Sequence, residues 1–587
     1  MRRNLTALAV GVLVVGLAAT GCTKNTGDTG QGKGDQAVNV SAVDFEGKAP
    51  VPAPEVKGAT PGGTITAYYE GRFEHLSPQQ IYIGTVLNYA QLFHRSLTGY
   101  ITNSAKGPVS LVGDLATNAG ETKDGGKTWK YTLRDGLKYD DGSPITSKDV
   151  AYGIALSFTE FGAQGTQYLQ SYLDPNYGKP GGYAGPLDGN LNIPGVATPD
   201  DKTITFTFAE AHTDIPYIVA FPIATPVPAA KFNKEKYEFD WVSSGPYKRV
   251  EYNENRLVLD KNPNWDAKTD PIRHQYVDKF VFNFTKDAAA QTETVKAAAG
   301  DDAFAIQTQN VPPELIPPVK TDNELMKRVA SGPTSYVSYI SINVQRVSDV
   351  KVRQALQYSF DRDAYIKAVG GYDVADATST LLAPTTPGYK KFDAYPPKNA
   401  SENHGDVDKA KELITASGKA APKLKYCTSN TATNQKVAAV NTQAFKRAGF
   451  DFSIQYIEPS NYYTTVGIKT TDCDLITHNW SYDWADGDST LGVLWDGTKI
   501  VDKGNNNLAY FKADDVDAKL AELRAMPDRG AAAKGYGDLD QMIMEKYAPS
   551  IPMRILRNFI IAGPKVGGSY ASPLYAAFEV TGIYCMK

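Results

Sequence analysis

The sequence predicts a mixed α/β fold spread over more than one lobe, and three observations carry that prediction. First, Leu424–Cys427 reads as a strand, Asn434–Ala448 as a helix and Phe452–Tyr456 as a strand, a βαβ unit whose strands should lie parallel. Second, period-two and period-3.6 segments alternate along the rest of the chain, with no tandem repeat. Third, 587 residues less an N-terminal leader and linker leave roughly 530, enough for two or three domains.

The elements follow in order. Gly62-Gly63 is a turn before a strand through Tyr69, and Leu87–Leu97 has helical spacing. Trp129–Leu133 alternates as a strand and stops at Asp135-Gly136; Asp140–Pro144 is a second turn. Ser147 is placed to cap a helix running from Val150 to Phe158. Thr203–Phe208 alternates again, and Gly245-Pro246-Tyr247 opens a hairpin-like stretch through Leu259. Val350–Val369 has apolar residues at Val352, Ala355, Leu356 and Phe360, one helix capped by Ser348 or Asp349.

The N-terminus carries an export signal. Arg2 and Arg3 precede a nearly continuous apolar run from Leu5 to Thr20, too short for the roughly 20 residues that span a bilayer. Leu17-Ala18-Ala19-Thr20-Gly21-Cys22 follows and resembles a bacterial lipobox, in which the cysteine is acylated; Ala19 stands where such signals usually have Leu. Residues 1–21 are therefore expected to be a signal peptide, Cys22 the lipid attachment point, and 22–59, rich in Gly, Thr, Asp, Pro and Ala, a flexible linker. The expected location is outside the cell, lipid-anchored to the outer face of the membrane, with no other membrane contact.

Composition narrows the partners. The body is ordinary for a globular protein, 42% hydrophobic and 21% charged. Formal charge is −4, and loss of Arg2 and Arg3 with the leader leaves 59 basic against 65 acidic residues, which argues against a nucleic-acid partner. Tyr numbers 35, a residue suited to a wet cleft through its apolar ring and polar tip. The six histidines, His75, His94, His212, His274, His404 and His478, show no zinc spacing, and no His-Glu-x-x-His, Gly-x-Ser-x-Gly or P-loop motif occurs, so neither metal nor cofactor is expected. Asp483, Asp486 and Asp488 fail the EF-hand spacing. With Cys22 assigned to lipid, Cys427 and Cys473 pair if their strands are neighbours, which leaves Cys585 as a buried small apolar residue.

Four blocks carry a resemblance. They are Trp129–Tyr139 with Asp141–Val150; Ser244-Gly245-Pro246-Tyr247 with Lys261-Asn262-Pro263-Asn264-Trp265; Ile342-Asn343 with Val350–Leu356 and Asp361-Arg362; and Trp480–Asp488. In this order they resemble extracellular solute-binding protein family 5, the oligopeptide-, dipeptide- and nickel-complex-binding group, from about Gly62 to the C-terminus. The resemblance implies a periplasmic-binding-protein-like clamp of class II type: a discontinuous first lobe over 60–100, 226–334 and 551–587, an inserted subdomain over 101–225, a second lobe over 335–550, and a hinge between lobes. It implies a monomer that hands its ligand to the permease and ATPase subunits of an ABC transporter.

The same resemblance points to Asp483, three residues after Trp480, as partner of a peptide α-ammonium, with Trp480 as an apolar wall. Asp486 and Asp488 leave that register open, and Asp483 could instead cap a turn. Tyr482 and Trp484 flank Asp483 as further candidates, and Tyr68 and Tyr69 are placed either to face the cleft or to join the core. Trp129, Arg134, Asp141, Gly142 and Asp149 read as turn and packing residues, and Arg353, Asp361 and Arg362 as a helix-surface charge network. Peptide is the expected ligand. An oligosaccharide stacked on Trp480, Tyr482 and Trp484 is the alternative, ahead of a solute-sensing lipoprotein or a secreted hydrolase.

Overall fold

The computed structural model describes residues 40–102, 104, 109–186 and 191–587. The apolar leader and Cys22 lie outside the described residues.

Two sheets dominate. The first has five strands in the order Ala305–Gln307, Thr64–Tyr68, Lys279–Asn283, Arg256–Lys261, Tyr247–Tyr252. Alternation along Lys279–Asn283 buries Phe280 and Phe282 on one face, where Phe73, Tyr89 and Trp241 join them. The C-terminal segment closes this core with Phe578, Val580 and Ile583. The second sheet has six strands in the order Ala375–Ala377, Ser550–Ile561, Val329–Ile342, Leu475–Ser481, Lys423–Ser429, Asp451–Ile457. Its last two are the parallel pair of the βαβ unit, with the helix Ala432–Lys446 between them. Leu475 pairs with Tyr426 and Ile476 with Cys427, and Cys427 is joined to Cys473 across a Cα–Cα distance of 5.8 Å.

The lobes share two strands. Val329–Ile342 and Ser550–Ile561 pair antiparallel from Val329–Ile561 to Ser341–Ser550. One end packs with Tyr68, Ala305 and Leu325 of the first lobe, through Phe559 and Ile561. The other end lies in the second lobe, where Ile342 and Ile551 are buried. The chain therefore crosses between lobes on a hydrogen-bonded ribbon, and the expected boundaries at 334 and 551 fall within it. A third core, with Trp129, Tyr131, Ile154, Phe206 and Ile218, packs around two three-stranded sheets, Thr128–Thr132 with Thr203–Thr207 and Val196–Ala197, and Thr98–Thr102 with Val109–Gly113 and Val40–Val43.

The last of those strands corrects the linker reading. From Val40 onward the segment is docked: Val40–Val43 adds parallel to Val109–Gly113, Asp44 N donates to Leu111 O (2.9 Å), Ala53 N donates to Asp270 O (2.9 Å) and the Phe45 ring stacks on Trp129. Composition missed this because an added edge strand is held by backbone groups that every residue carries.

Local readings shift as well. Thr146, not Ser147, caps the helix Ser147–Leu156, and Asp149 completes a capping box by accepting from Thr146 N. The helix read over Leu87–Leu97 is Gly84–Ala90. The single helix read over Val350–Val369 is two, Val350–Ser359 and Arg362–Ala368, broken at Phe360 because Asp361 caps the second by accepting from Ala364 N (2.9 Å). Arg353 and Arg362 are not on the surface. Both are buried, and Arg353 donates to the carbonyls of Val347, Ser348 and Tyr547, tying the helix start to another chain segment. Asp141, Gly142 and Arg134 hold turns: Asp141 accepts from Ser143 N, Gly142 has φ +86°, and Arg134 donates to the carbonyls of Gly113 and Asp114.

Candidate functional site

The strand Leu475–Ser481 ends where the second lobe faces the first. Its last residues and the turn after it, Asn479 to Ala485, form one wall of a cavity of 310 Å³. Tyr336 joins that wall from the neighbouring strand, directly opposite Ser481. The other wall comes from the first lobe and the inserted sheets: Tyr82, Ile83 and Leu87 at the start of the Gly84–Ala90 helix, Tyr100, Phe221, and Leu574 with Tyr575 near the C-terminus. The volume sits at the low end of the roughly 300–1,000 Å³ usual for small-molecule sites.

Asp483 is the one acidic residue on this wall. Tyr82 Oη donates to its Oδ1 (2.8 Å) and Tyr168 Oη donates to its Oδ2, so groups from across the cleft hold both carboxylate oxygens. Burial pushes the carboxyl up to about 6, against the two tyrosine hydrogen bonds, which favour the ionised form. Among the described residues no Lys or Arg pairs with it.

The neighbours of Asp483 divide the work. Trp480 lines the cavity, its ring held by a bond from Nε1 to Ser489 O (2.9 Å). Tyr482 is buried against Val109, Ala485 and Leu574. Trp484 inserts into the third core, edge-on to Tyr168 with ring centres 4.9 Å apart; its Nε1 is buried at the cavity with no partner among the described atoms.

Tyr68 and Tyr69 lie elsewhere. Tyr68 Oη donates to Asp302 and its ring is buried with Val311 and Phe559, while Tyr69 packs on Phe73, ring centres 4.6 Å apart. Neither lines the cavity, because the first strand turns these rings into the lobe's own core.

Asp486 and Asp488 are also turned away. Asp488 makes a bidentate pair with Arg524, both bonds 3.0 Å, and Asp486 pairs with Arg529. Sequence reasoning missed Tyr82, Tyr168 and Tyr336. The abundance of tyrosine hinted at a polar, aromatic cleft, but no local pattern marks which of 35 tyrosines reach it.

Two lobes on a shared ribbon, closing over a cavity lined from both sides, define a solute-binding clamp. The chain belongs to the bacterial extracellular solute-binding proteins, family 5, whose middle region matches residues 110–502. It is similar to the periplasmic oligopeptide-binding protein OppA of Salmonella typhimurium, 26% identical over 495 residues that cover 78% of this chain and 82% of that protein. It is also similar to the oligopeptide-binding protein OppA of Bacillus subtilis, 25% identical over 414 residues, 66% of this chain and 70% of that one. Among solved structures, the clavulanic acid biosynthesis oligopeptide binding protein 2 superposes with a TM-score of 0.82 at 26% identity, covering 94% of this chain and 99% of that one. The unliganded open form of the murein tripeptide-binding protein MppA shares the fold, with a TM-score of 0.70 at 20% identity over 90% of this chain and 99% of that one.

Proposed function

We propose that this protein captures a short peptide outside the cell for an ABC importer, and that Asp483 receives the peptide's α-ammonium. The observation that carries the reading is a cavity-facing carboxylate bonded only to tyrosine hydroxyls, with no cation paired to it among the described residues. An ammonium entering there makes a charge-assisted hydrogen bond, about twice as strong as a neutral one. The unpartnered Trp484 Nε1 supplies a donor for a peptide carbonyl, and Trp480, Leu87, Phe221 and Leu574 supply apolar walls. The relatives named for oligopeptides favour the same ligand class. Ligand that bridges both walls favours the closed clamp by its differential affinity for that state.

In this reading Cys22 carries the lipid, the segment before Val40 leads to the membrane, and the lobes divide near the residues expected from the sequence. The first lobe is then 60–100, 226–334 and 551–587, with the insert over 101–225 and the second lobe over 335–550.

Thermal unfolding tests the ligand. A peptide at one hundred times its Kd should stabilise the protein by about 2.7 kcal/mol. N-terminal acetylation should remove that gain, and maltotriose should give none. A gain with the sugar and none with any peptide would sink the peptide assignment.

A further inference from the structure

The lobes also meet away from this cavity. Thr213 lies in the turn between the strand Thr203–Thr207 and the short helix Ile215–Ile218, and it is buried. Its Oγ1 donates to Arg524 O and accepts from Arg529 Nη1 (3.1 Å). Arg524 is in the last turn of the helix Asp514–Ala525, and Arg529 opens the helix Arg529–Tyr547. One hydroxyl therefore joins the inserted sheets to two helices of the second lobe. The same two arginines pair with Asp488 and Asp486, so the contact reaches the Asp483 turn from behind. The Thr213 turn is itself fixed: His212 N donates to Gly126 O (3.0 Å), and His212 O accepts from Trp129 Nε1 (2.8 Å). Gly126 has φ +99°, and a Cβ there would fall 2.9 Å from His212 O, so only glycine fits. The Trp129 ring stacks on Phe45 of the docked N-terminal segment, ring centres 6.0 Å apart. Cavities of 340 and 430 Å³, each lined by Phe45, Pro527 and Arg529, flank this seam. Apolar packing across it is sparse, and the Thr213 hydroxyl carries the join.

We infer that Thr213 is a latch that biases the clamp toward its closed form before any solute arrives, and that the N-terminal segment positions this latch through Phe45 and Trp129. The physical ground is a difference between two states. In the closed form the Thr213 hydroxyl, Arg524 O and Arg529 Nη1 satisfy one another out of water; on opening, all three return to water. The net gain per bond is modest, and two bonds together shift the closed-to-open ratio about tenfold. The latch stabilises the closed form with and without ligand alike, so it raises affinity for whichever solute enters until the closed form dominates. Thr213 does not line the ligand cavity and is a positioning residue. The segment that composition marks as a linker thus belongs to the closing device.

Small-angle X-ray scattering of the protein without solute, fitted as a mixture of open and closed forms, tests this. Thr213→Val removes the hydroxyl at nearly the same shape and should lower the closed-to-open ratio about tenfold. Thr213→Ser keeps the hydroxyl and should retain the unaltered ratio. Phe45→Ala, at an exposed position, should lower the ratio about two- to threefold. Added to Thr213→Val it should lower it no further, because it acts through the same hydroxyl, whereas general loosening would make the two losses add. If Thr213→Val does not fold, Phe45→Ala and Thr213→Ser carry the test. An unchanged ratio in Thr213→Val, or an unaltered protein already as open as that variant, overturns the latch. An unchanged ratio in Phe45→Ala, or losses that add, overturns the part given to the N-terminal segment. No solute is present, so failure here is distinct from failure of the Asp483 reading.

Discussion

Asp486 and Asp488 each meet an arginine, whereas Asp483, a few residues earlier in the same turn, meets two tyrosines. The arginines come from the helices Asp514–Ala525 and Arg529–Tyr547, which pack beneath the turn; the tyrosines come from across the cleft. Burial alone does not separate these carboxylates, since all three are at least partly withdrawn from solvent. Partner type does. A carboxylate with its own guanidinium is structural and electrostatically closed. One with only neutral donors keeps an unmet demand for positive charge, and burial raises the energy of leaving it unmet.

The comparison can be broken most sharply at Arg529. Arg529→Met leaves Asp486 buried without its counter-ion and should cost about 3–5 kcal/mol in chemical denaturation. A loss below 1 kcal/mol would show that Asp486 is not electrostatically dependent on its partner.

Asp483→Asn should do the reverse. A carboxyl raised to about 6 when folded, against about 3.9 unfolded, takes up protons on folding, so its contribution to stability is lost as pH rises from 4 through 6. At pH 7 the amide should therefore be more stable than the acid, by about 1 kcal/mol once partial exposure is allowed for. It should also bind peptide at least tenfold more weakly.

The pH profile of binding sharpens the contrast further. Peptide affinity should be level above pH 7 and fall toward tenfold per unit as pH drops below about 6, where Asp483 protonates before it can meet an ammonium. Asp483→Asn should flatten that profile. The smallest effect is expected from Tyr168→Phe: removing one donor favours the protonated acid, and the midpoint of the profile should move up by roughly half a unit to one unit. A midpoint that stays in place would mean that Tyr168 does not support the ionised carboxylate.

Local order was legible where local physics decides it. A Gly-Gly turn marked the strand Thr64–Tyr68, alternation marked Thr128–Thr132 and Thr203–Thr207, and turn residues closed most elements within a few positions. The same reasoning merged Val350–Ser359 with Arg362–Ala368, because apolar spacing continues through Phe360 while the break depends on Asp361 turning back to cap its own helix. It also set Tyr68 and Tyr69 in an open choice between cleft and core. Alternation says that adjacent side chains face opposite ways but not which face meets ligand.

What the sequence determined by itself is the α/β character, the parallel βαβ unit and the stretch of chain, Trp480–Asp488, that reaches the cleft. The first two follow from periodicity and turn chemistry, which act over a few residues, and the third is what the resemblance of four ordered blocks to family 5 implies. Tertiary structure alone decided which aspartate in that stretch has no Lys or Arg partner among the described residues, which tyrosines face it, and that the segment after Val40 docks on a sheet edge. Each of those outcomes depends on groups brought together from distant parts of the chain: Tyr82 and Tyr168 reach the Asp483 turn from across the cleft and Arg529 from a helix beneath it, and no pattern local to that turn encodes their arrival.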